Sequence, residues 1–417
     1  MKLRFAGEFA WVLAGKSIAF VGSILLIKLL TQSMDVEAYA HLMLGLTVCN
    51  FFSQLLMGAI GQGIGRVYID ALENKENSDF CDALFGLNKK ILVIYALTLV
   101  LITILLFYIL NFQLYIFLIG LIILSYINGL NDISTGLHNL ARNRAKAAVS
   151  FSLDAILKIS LVYCIYKLFQ DVNAEYVVFC YIAAALLVAI YQVKSFRSLH
   201  LKIRGFASAH NKWTDEILKI SLPASLWGLF VWLQQASDKW ALSFFVDTES
   251  VAQYSVIYQI AYAPFLMGMG VVMTLFMPVI YKSNKSNVIR NLIIFVSALT
   301  VFSFYFAEQF SSEIIGFIAT EKYQKGAPLI PYLILAAGLY QMGDVCSTQL
   351  MQQNTPKKIL KIKIFTSLTC FLSNSIGAYF YGLNGVVASM VFFGLLYFLS
   401  FARVSFFGAN TGDGRDT

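Results

Sequence analysis

Apolar runs of about twenty residues, each closed by a short polar or charged break, recur along the whole chain. They lack the apolar–polar alternation of a half-buried strand, so they read as helices. A helix of that length spans the ~30 Å hydrocarbon core of a bilayer. Helices and closed barrels are the structures that satisfy every backbone polar group inside lipid. The pattern predicts twelve spans, near 8–30, 38–62, 90–110, 114–137, 149–169, 174–193, 217–246, 252–281, 291–310, 327–350, 362–381 and 384–408.

The breaks alternate in charge. One set holds Lys2 and Arg4; Arg66, Lys75, Lys89 and Lys90; Arg142, Arg144 and Lys146; Lys194, Arg197, Lys202, Arg204 and Lys212. It continues with Lys282, Lys285 and Arg290, with Lys357, Lys358, Lys361 and Lys363, and with Arg403 and Arg415. Together these are 23 of the 31 lysines and arginines. The opposite set is mostly acidic, with Asp35, Glu37, Asp171, Glu175, Asp247, Glu249 and Glu321. Basic loops stay in the cytoplasm, so both termini are expected there, in a multi-pass membrane protein. The first span, behind Lys2 and Arg4, reads as an uncleaved signal-anchor. The stretch 66–90 reads as a mixed-charge interfacial helix.

Composition agrees with a membrane protein: 59% of the 417 residues are hydrophobic and 13% are charged, against about a quarter charged in a soluble domain. The net charge of +8 follows from the basic loops and calls for no nucleic acid. Six scattered cysteines show neither a disulfide framework nor metal spacing. The external loops are too short for a catalytic domain, and no Walker lysine motif, zinc spacing or hydrolase elbow occurs. The expectation is a transporter without enzymatic activity, metal or cofactor.

The middle of the chain carries a basic linker, 201–214, between a six-helix lobe at 1–200 and another at 215–417. An internal repeat supports this division. At an offset of about 212, Asp35-Val-Glu37 falls on Asp247-Thr-Glu249, Met57-Gly58 on Met269-Gly270, and Asp132 on Asp344. Ser134-Thr135 falls near Ser347-Thr348. The fold class is therefore an all-α polytopic membrane protein whose two lobes are related by a parallel pseudo-repeat. Such repeats place substrate between the halves near mid-membrane.

Charges inside the spans are the candidate chemistry, since each costs about 3 kcal/mol at a helix centre. The basic candidates for a cationic cavity that would take an anionic cargo are Lys16, Lys28, Arg66, Lys158 and Lys239. Lys16 lies eight residues into the first predicted span, about 12 Å deep. Lys28 can also snorkel outward. The acids Asp132, Asp154, Asp238 and Asp344 are candidates for ion coupling or structural charge pairs. Asp154 and Lys158 have the i,i+4 spacing of a mutually neutralising pair. Asp238 and Lys239 project about 100° apart on a helix, so one is expected to face a cavity and the other a neighbouring helix. Arg142 and Arg144 are candidates for a cytoplasmic vestibule, or serve topology alone. His138 reads as polar rim, with a proton-coupling role as the alternative. The glycines of Gly58-Ala-Ile-Gly61-Gln-Gly63-Ile-Gly65, and Gly15, Ala19 and Ser23, read as close-packing surfaces.

Three stretches carry a family resemblance: Lys28-Leu-Leu-Thr-Gln-Ser-Met-Asp-Val-Glu-Ala-Tyr39 running on to Gly61-Gln-Gly-Ile-Gly-Arg66; Ser221-Leu-Pro223 through Asp238-Lys239 and Val251-Ala-Gln-Tyr254; and Tyr323-Gln-Lys-Gly-Ala327-Pro328. With them the chain resembles the O-antigen (Wzx-type) polysaccharide flippases of the multidrug/oligosaccharidyl-lipid/polysaccharide (MOP) superfamily, with its MATE-like fold. Ala252 stands where a glycine is common in that family. The resemblance implies lipopolysaccharide or other surface-polysaccharide biosynthesis. The cargo would be an undecaprenyl-pyrophosphate-linked oligosaccharide, and transport would be driven by a proton or sodium ion. Implied partners are membrane lipids, a polysaccharide polymerase and a chain-length regulator. The competing readings are a multidrug cation antiporter of the same fold, a major-facilitator transporter and a polysaccharide polymerase.

Overall fold

The computed structural model describes residues 2–106, 112–169, 171–196, 211–283, 286–352 and 356–407. Among them every regular element is helical: α1 Lys2–Ser33, α2 Val36–Phe52, α3 Ala59–Glu73, α4 Asn77–Leu106, α5 Phe112–Leu140, α6 Arg144–Phe169, α7 Ala174–Phe196 and α8 Lys212–Phe245. There follow α9 Thr248–Ile257, α10 Ala263–Ser283, α11 Ser286–Ile318, α12 Ile330–Gln352 and α13 Pro356–Ala402. Among the described residues, eleven segments are long and apolar enough to cross a membrane. The last, Lys358–Phe406, folds back at Gly382, whose φ of 57° and ψ of −136° suit a residue without Cβ. Beyond the turn, a Cβ on Gly377 would meet the Gly385 carbonyl oxygen at 2.5 Å, and Ser389 Oγ donates to Ser373 O at 2.7 Å. The two arms of α13 therefore run antiparallel, so the eleven segments among the described residues hold twelve helical arms.

The stretch 66–90 is helical apart from one turn. It is the end of α3, a turn around Asn74–Glu76, and the start of α4. The apolar face of α3 (Ile64, Val67, Tyr68, Ala71) closes a core with Phe80, Ala83 and Leu87 of α4 and with Trp213 and Ile217 of α8. Burial on that face outweighs the mixed charges on the other, so both helices continue straight out of their spans.

The pseudo-repeat is visible in the caps. Asp35 Oδ1 accepts from Ala38 N and Asp247 Oδ1 from Ser250 N, each at 2.6 Å. Each aspartate thus satisfies an orphan N–H of the helix it starts. In both halves the capped helix runs into a π-helical turn, Ser53–Gly58 after α2 and Tyr258–Tyr262 after α9.

The chain divides into two compact units, Met1–Trp232 and Leu233–Thr417, the division falling inside α8. In the first, α1 packs on α6 through small residues: a Cβ on Gly15 would meet Ala148 at 2.7 Å and one on Gly22 would meet Ala155 at 2.9 Å. In the second, α12 is the most enclosed helix, packed by α11 and α13. Most of the expected basic linker, 201–210, lies outside the described residues.

Candidate functional site

A polar chamber of about 200 Å³ lies within the first unit, lined from α2, α5, α6 and α7. The helical spacing of Asn128, Asn131, Asp132 and Thr135 puts four polar side chains on one face of α5. Facing them, α6 contributes Asp154 and Lys158, with Asn50 from α2 and Gln192 from α7 completing the polar lining. Lys158 Nζ bonds Asp154 Oδ2 at 2.7 Å and lies 5.2 Å from the ring centre of Tyr181. The predicted i,i+4 pair is thus formed, and both its members open onto the chamber together with Asp132.

Two amide nitrogens of the chamber wall are tied down. Asn131 Nδ2 donates to Ala185 O at 2.9 Å, and Gln192 Nε2 donates to Thr135 Oγ1 at 2.9 Å and to Asn131 O at 3.2 Å. Their carbonyl oxygens, Asn131 Oδ1 and Gln192 Oε1, are buried without a partner among the described residues. Gln192 is 2% exposed. The chamber carries two carboxylates, Asp132 and Asp154, against one ammonium, which Asp154 already holds. It suits a cationic guest.

The second unit holds the other two acids. Asp238 is fully buried and Lys239 is 8% exposed. Asp238 Oδ1 accepts from Lys239 N at 2.7 Å and lies 3.5 Å from Lys239 Nζ, while Oδ2 accepts from Tyr254 OH at 2.7 Å. The ammonium lies 4.4 Å from the ring centre of Tyr258 and 5.5 Å from that of Tyr254. The expected split, one residue toward a cavity and one toward a neighbour, is not what the structure shows. The flexible lysine stem spans the angular offset and curls back onto the adjacent carboxylate. Asp344 is half-buried; its Oδ1 accepts from Tyr397 OH at 2.8 Å, and it interacts electrostatically with Lys363.

The remaining candidates are dispersed. Lys16 and Lys28 are half-buried on α1, and Arg66 is exposed on α3. Arg142 and Arg144 both pair with Glu8, at 3.3 and 3.5 Å. His138 lies deeper than a polar rim: it is fully buried, with Nε2 2.6 Å from Ser195 Oγ. Sequence reasoning missed Asn128, Asn131, Gln192 and Lys363. The amide face of α5 was visible in its three-and-four spacing. Lys363 was counted with a basic loop, whereas the structure puts it within α13, half-buried.

No family model matches the chain, and no curated protein does. Solved structures do. A lipid II flippase, MurJ, in an inward closed conformation matches with a TM-score of 0.72 at 15% identity, over 96% of this chain and 87% of that one. An inward-facing multidrug resistance MATE transporter of the MOP superfamily matches at 0.69 and 16% identity, over 95% and 96%. Its outward-facing counterpart gives 0.62 at 14% identity, over 95% and 92%. At these identities the likeness is one of fold: a multi-pass membrane protein with a MATE-like architecture, similar to transporters and flippases.

Proposed function

We propose that the protein is an O-antigen-type polysaccharide flippase. It moves an undecaprenyl-pyrophosphate-linked oligosaccharide from the cytoplasmic to the periplasmic leaflet of a bacterial inner membrane, with both termini cytoplasmic. Two six-helix lobes, 1–200 and 215–417, alternate access to the cargo, and the protein is not an enzyme.

The observation that carries this reading is Lys16. It is half-buried on α1 and makes no ion pair among the described residues. An uncompensated ammonium at membrane depth is expensive, and a transient phosphate is the partner that would offset it. Lys28, Arg66, Arg142 and Arg144 complete a basic route in this proposal. The fold shared with a lipid II flippase supports a lipid-linked cargo by analogy. The coupling ion, a proton or sodium, is assigned to the polar chamber at Asp132.

The test is deletion of the gene in its host, followed by analysis of surface polysaccharide and lipid-linked intermediates. Loss of polymer with repeat units held on the cytoplasmic face is expected. Units accumulating on the external face would point instead to a polymerisation step. Normal polymer with raised sensitivity to cationic drugs would replace the flippase by the antiporter. That second reading draws on the acid-rich chamber, which would also receive an organic cation.

A further inference from the structure

The packing of α1 on α6 sets Lys16 at a defined step from the polar chamber. Gly15 faces Ala148 and Gly22 faces Ala155, two contacts with the same sequence offset. The helices therefore run parallel, and Lys16 lies level with Val149. Asp154 is farther along α6 by about 7.5 Å, five residues at 1.5 Å each. At 100° per residue, Lys16 points about a quarter turn away from the Gly15 contact line. The same rotation turns Phe151, Asp154 and Lys158 to that side of the helix pair. Lys16 and the chamber wall on α6 thus share one face of the first unit.

The two ends of this step differ in charge. Lys16 is half-buried and makes no ion pair among the described residues. The chamber holds Asp132 and Asp154 against Lys158. Asp132 and Asn50 are exposed and Asn128 is half-buried, so these polar side chains are open to an occupant. Phe151 lines the same chamber and is 39% exposed. The volume, about 200 Å³, is below the roughly 300–1,000 Å³ of pockets for drug-sized ligands. It has room for one small ring and not for a chain of several.

A phosphate drawn to Lys16 is repelled by the acids of the chamber. What can follow it there is a group that donates hydrogen bonds, because ionised carboxylates only accept. A sugar ring meets each requirement: hydroxyls for Asp132 and the two asparagines, and a C–H face for the electron-rich face of Phe151. A bare ion would leave Phe151 without a role. We infer that the chamber is the subsite for the sugar joined to the pyrophosphate, with Lys16 on the phosphate and Asp132, Asn50 and Asn128 on the ring hydroxyls. This rests on the flippase reading. The base-then-acid pattern also sets a specificity: the first sugar is neutral or carries an amino group, and a uronic acid is refused. It orients the cargo, with the phosphates toward the N-terminal end of α1 and the ring in the chamber. Sugar and coupling ion then meet Asp132 in turn.

The experiment uses the full-length protein in nanodiscs of phosphatidylethanolamine and phosphatidylglycerol. Binding is measured by microscale thermophoresis for three probes: farnesyl pyrophosphate, its N-acetylglucosamine conjugate and its glucuronic acid conjugate. The unaltered protein is expected to bind the N-acetylglucosamine conjugate about tenfold tighter than either of the others. Asp132→Ala should bring that conjugate down to the level of the sugar-free probe, whose own binding stays as it was. Asp132→Asn should raise the affinity for the glucuronic acid conjugate severalfold, by removing the repulsion. Phe151→Leu, which alters no charge, should weaken the N-acetylglucosamine conjugate alone. Lys16→Met should weaken all three probes alike. The inference is overturned if the unaltered protein shows no preference for the sugar, or if Asp132→Ala acts equally on sugar-bearing and sugar-free probes. It is also overturned if Lys16→Met acts on the sugar-bearing probes alone. Binding of the sugar-free probe without a preference for the sugar removes the subsite and leaves the flippase reading standing. Binding of none of the three by the unaltered protein removes the flippase reading itself.

Discussion

Replacing Lys239 by methionine separates a cargo contact from a structural charge. The substitution keeps most of the stem and removes the ammonium. Asp238 then retains two hydrogen bonds, from Lys239 N and Tyr254 OH, but loses its only buried counter-charge among the described residues. Breaking a buried pair from one side costs about 3–5 kcal/mol. The lost cation–π contacts with Tyr254 and Tyr258 are part of that figure, at up to about 2 kcal/mol each when desolvated. For a body of this size, each kcal/mol lowers Tm by roughly 2–4 °C, so a fall on the order of 6–20 °C is expected in detergent.

The double variant Asp238→Asn with Lys239→Met sharpens the test. It removes both charges, and the asparagine oxygen still accepts from the backbone N–H at position 239. Most of the lost Tm should return, because a neutral substitute for a buried pair is often nearly as stable as the pair. Melting is followed by differential scanning fluorimetry of the purified protein, with flipping measured on the same preparations. The reasoning is refuted if Lys239→Met melts like the unaltered protein yet fails to move cargo. Lys239 would then meet the substrate despite its burial.

Gly382→Ala forces a Cβ into the φ 57°, ψ −136° turn. It should cost about 1–3 kcal/mol, read as a lower Tm and a smaller folded yield. Lys16→Ala should lower cargo export severalfold with membrane abundance unchanged; unaltered surface polysaccharide would remove Lys16 from the cargo path. Glu8→Ala should lower Tm by several degrees, since the Glu8 carboxylate is itself largely buried and meets both Arg142 and Arg144. An unchanged melt would show that the Arg142–Glu8–Arg144 cluster does not anchor α1.

The spans were legible because apolar length and loop charge are one-dimensional signals. The turn at Gly382 was also anticipated, by the break between the last two predicted spans. The i,i+4 pair of Asp154 and Lys158 could be read because both partners sit on one helix. The chamber wall could not. Gln192 belongs there only because α7 packs on α5, and no periodicity within α7 marks it. The curl of Lys239 onto Asp238 depends on a rotamer, which residue spacing does not determine.

The two units treat the acids within their helices differently, and this difference yields a last prediction. In the second, Asp238 is met by Lys239 and Tyr254, and Asp344 by Tyr397 and Lys363. In the first, Lys158 is committed to Asp154, and Asp132 shares the chamber with amide and hydroxyl oxygens. With all three groups charged, that chamber holds one negative charge too many. A monovalent cation or a proton can offset that excess. Since Asp132 and Asp344 correspond in the repeat, the asymmetry arises in their partners and not in the acids. Asp154→Asn should therefore release Lys158 to neutralise Asp132. Transport would lose its dependence on the ion gradient, as it would in Asp132→Asn, while Asp344→Asn would leave that dependence in place. Flipping assays in proteoliposomes with imposed sodium and proton gradients separate these cases. If Asp154→Asn keeps full ion dependence, or if Asp344→Asn alone abolishes it, the excess charge of the first unit is not where the gradient acts.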